Sequence, residues 1–82
     1  MADVTYYVAL PFVAADDGVA AGEPAECQSS HAAIRKAEQL SRVIGNVGAV
    51  AFGRTGDPAI GEFSDAVVLK AFGEVPDDFS GL

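Results

Sequence analysis

The segment TYYVALPFVA, residues 5–14, carries apolar side chains in both registers of a two-residue period. One register holds Tyr6, Val8, Leu10 and Phe12, and the other holds Tyr7, Ala9, Pro11 and Val13. This alternation, with its β-branched and aromatic residues, predicts a β-strand from Thr5 to Ala14. Pro11 has no backbone N–H to donate, so it predicts an edge position or a bulge.

Four further segments have the patterns of regular structure: a short strand over 25–28, a helix over 31–44, and strands over 47–54 and 66–72. The predicted fold class is α+β, with a small antiparallel four-stranded sheet, one helix packed on one face, and the order ββαββ. The whole chain, 1–82, is predicted to be a single domain. Its ordered core is expected over about 4–75, followed by a tail at 76–82.

The predicted helix has identifiable ends and one apolar stripe. Ser29-Ser30 offers an N-cap hydroxyl, and Gly45-Asn46 tolerates the left-handed conformation that ends helices. The stripe follows a 3.6-residue period and consists of Ala33, Ala37, Leu40 and Ile44.

One helix shields only part of a sheet that is apolar on both faces, and the remaining patch predicts a homodimer. The second copy would bury the second face or pair with an edge strand. Tyr7 is expected on the face away from the helix, where interfaces favour tyrosine. The predicted interface residues are Tyr7, Ala9, Val68 and Phe72.

The composition excludes several classes of protein. The chain has 82 residues, a net charge of −7, one Cys and one His. A single Cys cannot form an internal disulfide, and it suits a reducing cytoplasm. The negative charge argues against general nucleic-acid binding. No segment has the roughly 20 apolar residues of a membrane span, and no basic n-region of a signal peptide is visible.

The only positive region lies in the middle of the chain, because residues 29–54 carry +3 while the segments on either side carry −5 each. A surface of this kind predicts contact with an anion or an acidic partner, or else a solvated helix face. The candidate residues are Arg35, Lys36, Arg42 and Arg54.

The other groups of potentially reactive or ligand-binding residues do not match known site patterns, and we predict no catalytic, cofactor or metal site. Cys27 and His31 are four residues apart, but a zinc site needs a full set of ligands. No G-x-S-x-G elbow surrounds the serines. Gly56 and Gly61 have phosphate-loop spacing without the required Lys-Ser/Thr. The acidic loops, Asp16-Asp17 with Glu23 and Asp57, Glu62 with Asp65, do not match a calcium loop.

Three stretches of the sequence resemble small bacterial domains of unknown function built from a hairpin, a helix and a second hairpin. They are SHAAIRKA at 30–37, AVAFGR at 49–54 and TGDP at 55–58, and the resemblance extends from Tyr6 to Gly73. It implies a fold but no activity, and no catalytic residue can be transferred from it.

The function predicted from the sequence is that of a small acidic cytoplasmic protein, a non-enzymatic homo-oligomeric module that binds another protein or a small ligand. One alternative is an acidic partner that neutralises a basic protein, as an antitoxin or a nucleic-acid mimic does. A further alternative is a metal-binding or enzymatic dimer that uses Cys27 and His31.

Overall fold

The computed structural model describes residues 4–16, 18–57, 59–64 and 66–76. It is α+β: an antiparallel sheet with one helix packed on it. The elements are β1 (Val4–Ala15), β2 (Gly18–Ala21), β3 (Ala25–Cys27), α1 (Ser30–Ser41), β4 (Asn46–Asp57), β5 (Glu62–Phe63) and β6 (Val67–Gly73). The predicted tail at 76–82 lies, except for Pro76, outside the described residues.

The two long strands, β1 and β4, pair at the centre of the sheet, from Val4 opposite Gly56 to Val13 opposite Asn46. The outer edge of β1 carries two short strands, β2 and β3. The outer edge of β4 carries β5 and β6. The predicted four-stranded ββαββ layout is therefore not quite matched. Two short strands stand in place of each predicted outer strand, so that three strands precede the helix in the chain and three follow it.

Pro11 shows how a central strand accommodates a residue without a backbone donor. Its carbonyl accepts a hydrogen bond from Gly22 N at 2.8 Å, on the outer side of β1. Because the N–H and C=O of one strand residue point to the same side, the missing N–H faces the gap between β2 and β3. The predicted edge position is wrong, because β1 lies inside the sheet, but the alternative of a bulge has a counterpart: the register between β1 and β4 shifts between Phe12 and Val13.

The helix begins one residue before the predicted start and ends three residues before the predicted end. Ser29 is the N-cap, and its Oγ accepts from Ala32 N at 3.1 Å. At the other end, Asn46 Nδ2 donates to Leu40 O at 2.8 Å. The chain leaves the helix at Arg42, so Ile44, predicted on the apolar stripe, is fully exposed instead.

Alanines form the contact between the helix and the sheet. A set of five is completely buried there: Ala9, Ala33, Ala37, Ala49 and Ala51. Small side chains let the helix backbone approach the sheet closely, and larger half-buried residues surround the contact. These are Tyr7, Cys27, Ile34, Leu40, Leu69 and Phe72.

Tyr7, Ala9 and Phe72 therefore lie on the helix side, which corrects the face predicted for Tyr7. Ala9 is 0% exposed and offers no surface to a partner. Val68 pairs with Phe52 and lies on the opposite face of the sheet. Side-chain volume explains which face the helix covers. The face with Ala9 lets the helix approach closely, whereas the larger side chains of Leu10 and Phe12 would hold it away.

The face opposite the helix, here called the second face, is apolar as predicted, but its centre is closed by the chain itself. Leu10, Phe12, Val50 and Phe52 are all buried there. Partly buried residues pack against them. They are Val8 and Val47 of the central strands, Val19 of β2, Ala66 just before β6, and Val75 after it. The bare apolar face from which we predicted a homodimer is therefore smaller than expected.

Within the described ranges, no helix is both long and apolar enough to span a bilayer.

Candidate functional site

A groove of about 350 Å³ opens on the second face, beside the ends of β1 and β4 that carry Tyr6 and Arg54. We call it the second-face groove. It is lined by Tyr6, Val8, Pro24, Glu26, Phe52, Arg54 and Phe63.

Strand register brings these residues together. Arg54 pairs with Tyr6, Phe52 pairs with Val8, and Val8 pairs on its other side with Glu26. Paired residues share a face of the sheet, so all five side chains project to the same side.

An aromatic wall closes one side of the groove. Phe63 in β5 pairs with Gly56, which has no side chain to fill the space above it. The ring of Phe63 therefore reaches that of Tyr6, with 5.7 Å between the centroids and 51° between the planes. Tilted pairs of this kind are a favoured aromatic geometry.

Arg54 is the unusual member of the lining. It lies on β4 between the segment paired with β6, which ends at Gly53, and the segment paired with β5, which begins at Gly56. The residue is half-buried, and its Nε is buried without a hydrogen-bond partner among the described residues. An unsatisfied buried donor costs about 1–3 kcal/mol, so a shift of the side chain that gives this N–H an acceptor at the groove is favoured.

A carboxylate lies on the opposite wall. Glu26 in β3 is two strands away from Arg54 in β4, about 10 Å across the sheet. Within the described part of the chain one ion pair forms, between Glu38 and Arg42 at 3.2 Å on the helix surface. The second-face groove thus presents a cation and an anion across an apolar floor.

A second cavity, of about 410 Å³, lies beside the start of the helix. It brings Cys27 and His31 to the same surface, as their spacing suggests. Cys27 Sγ donates to Ala25 O at 3.6 Å, and Ser29 is already engaged as the helix cap. Among the residues that the structure describes, no group of three or more His, Cys, Asp or Glu could hold a metal ion.

The four basic residues singled out from the sequence do not form one surface. Arg35 and Lys36 line the cavity beside the helix. Arg42 pairs with Glu38, and Arg54 lies on the second face. The predicted positive region is therefore divided among three places.

The acidic loop after β4 uses one carboxylate locally. Asp57 Oδ1 accepts from Ala59 N at 2.9 Å, a turn-stabilising bond. Asp17, Asp65 and the side chain of Glu62, which belong to the acidic loops rejected above as calcium sites, lie outside the described part of the structure.

Sequence reasoning named Arg54 but missed the residues around it, Tyr6, Glu26, Phe52 and Phe63. One signal was available, since Arg54 continues the register of Val50 and Phe52, and a charge in an apolar register marks a special environment. The pairing of Gly56 with Phe63 had no comparable signal.

No protein-family model matches the chain, and neither a curated protein nor a solved structure matches it significantly. The resemblance to small bacterial hairpin–helix–hairpin domains thus stays a prediction.

Proposed function

We propose that this protein is a non-enzymatic binding module whose ligand occupies the second-face groove. The observation that carries the proposal is the buried, unpartnered Nε of Arg54 in a groove walled by two aromatic rings. Binding sites for small molecules combine this kind of apolar lining with a few directed polar groups. The ligand then has an apolar body and a hydrogen-bond acceptor.

The composition of the lining supports binding rather than catalysis. Among the described residues that line the groove there is no serine, cysteine or histidine. The charged groups, Arg54 and Glu26, face each other across apolar residues and are suited to orienting a ligand. A volume of about 350 Å³ lies at the small end of the range for ligand pockets.

A titration monitored by ¹H–¹⁵N correlation NMR tests this proposal. The probes are 3-phenylpropionate and its neutral amide, 3-phenylpropanamide, each raised to millimolar concentration. We expect saturable shifts for the amides of Tyr6, Val8 and Arg54 and none for the exposed turn at Gly45. The proposal fails if neither probe produces saturable shifts in the groove.

We also propose that two copies of the chain associate in the cytoplasm. Val67 and Val68 are 64% and 39% exposed on β6, whose outer edge carries no paired strand among the described residues. Pairing of two β6 strands about their midpoints would place Lys70 opposite Lys70, so we expect a shifted register. Light scattering after size exclusion should give twice the 8.4 kDa of one chain. A monomer at tens of micromolar would refute the dimer.

The net charge of −7 favours a second candidate, an acidic partner of a basic protein. In a pull-down from lysate, a basic partner released by salt would support it, and recovery of no basic protein would count against it.

A further inference from the structure

We propose that the ligand of the second-face groove is a monocarboxylic acid with an aromatic or branched apolar body, and that Arg54 binds its carboxylate. This inference rests on the function proposed above and names its ligand class.

The guanidinium of Arg54 determines the polar end of the ligand. Its Nε is buried and has no acceptor among the described residues. An arginine offers parallel N–H donors that match the two oxygens of a carboxylate, and a bond to a charged acceptor is about twice as strong as a neutral one. A neutral amide supplies one carbonyl oxygen and adds N–H groups that would themselves need acceptors.

The lining determines the apolar end. Val8 and Phe52 form the floor next to Arg54, and the tilted pair of Tyr6 and Phe63 forms a wall. An aromatic ring or a branched chain would exclude water from these surfaces and would hold the carboxylate against the guanidinium of Arg54, which lines the groove. Strongly hydrated anions such as phosphate gain nothing from such walls.

Glu26 limits the charge that the ligand carries. Its carboxylate lines the wall opposite Arg54. A second negative group on the ligand would meet this charge, and the described lining residues hold no second cation beside Arg54. A ligand with a single carboxylate on an apolar body can pair with Arg54 without placing a second negative charge near Glu26.

The test compares 3-phenylpropionate with 3-phenylpropanamide on the unmodified protein and on two variants, Arg54→Lys and Arg35→Lys. Both variants keep the charge, and the second changes an exposed arginine of the helix. Dissociation constants come from amide shifts, and the Nε–Hε resonance of Arg54 is followed directly. We expect the acid to bind about tenfold more tightly than the amide and to move the Nε–Hε signal.

In Arg54→Lys, we expect the affinity for the acid to fall about tenfold while that for the amide stays constant. Arg35→Lys should match the unmodified protein. Equal affinity for acid and amide would overturn the carboxylate inference and leave the groove as a binding site. Acid binding that leaves the Arg54 Nε–Hε signal unmoved, or that weakens equally in Arg35→Lys, would also overturn it. Binding of neither probe would instead refute the proposed function.

Discussion

The ring of Phe63 lies 5.7 Å from the ring of Tyr6, although 57 positions separate the two residues in the chain. The contact exists because Gly56 separates Phe63 from the strand that carries Tyr6 and leaves the space above it free. It turns a two-residue strand, β5, into a wall of the candidate site.

Phe63→Ala should weaken binding of 3-phenylpropionate with little loss of stability. The side chain is already 42% exposed, so its removal should cost about 1 kcal/mol of folding free energy or less. We expect the affinity for the probe to fall about fivefold, because one aromatic wall is lost. NMR titration measures the affinity. Ile60→Ala is the control, since Ile60 is an exposed apolar residue of the turn before β5 and lies outside the groove lining; equal loss in both variants would contradict the assignment.

Glu26→Gln should strengthen binding of 3-phenylpropionate about twofold, because it removes a negative charge from the lining of the groove that holds the ligand carboxylate. Binding of the neutral amide should not change. The matched control is Glu23→Gln, which removes the same charge from an exposed residue outside the groove lining. A weaker acid complex in Glu26→Gln would show that Glu26 contributes a favourable contact instead.

Val50→Ala should lower the free energy of unfolding by about 2 kcal/mol, because Val50 is fully buried on the second face and its truncation leaves a cavity. Val67→Ala, at a side chain that is 64% exposed, should change it by less than about 0.5 kcal/mol. Urea unfolding measures both. Similar small effects would mean that the second face is not closed by its own chain.

Gly48→Ala should destabilise the fold by about 1–3 kcal/mol through overpacking. A Cβ at Gly48 would collide with the backbone of Glu74, whose N donates to Val47 O at 2.9 Å and which precedes Val75 on the second face. At Gly53 a Cβ would meet the Tyr7 ring at 3.5 Å, an ordinary contact. Gly53→Ala should therefore be the milder variant in thermal unfolding, and the reverse order would contradict the close approach at Gly48.

Ser29→Ala should cost about 1 kcal/mol of stability, because Ala32 N loses the hydroxyl that caps the helix. Ser30→Ala, one residue later and inside the helix, should be nearly neutral. Comparison of the two urea midpoints checks the cap. Equal destabilisation would assign the capping role to both serines.

Local patterns in the sequence were enough to predict the strand at 5–14, the start of the helix to within one residue, and a cap at Ser29 or Ser30. These features depend on neighbours within a few residues, such as the alternation around Val8 or the hydroxyl that reaches Ala32 N. The end of the helix was harder, because Asn46 caps Leu40 from outside the helical segment.

The amino-acid order by itself determined that this chain forms an α+β fold with an antiparallel sheet that is apolar on both faces. Only the tertiary structure decided that the helix packs on the face with Ala9 and not on the face with Leu10. A two-residue period marks two faces but not which one a helix will cover; that depends on how closely the packed side chains allow the helix to approach. The second-face groove has the same origin, since Arg54, Glu26 and Phe63 meet through pairings between strands that are distant in the chain.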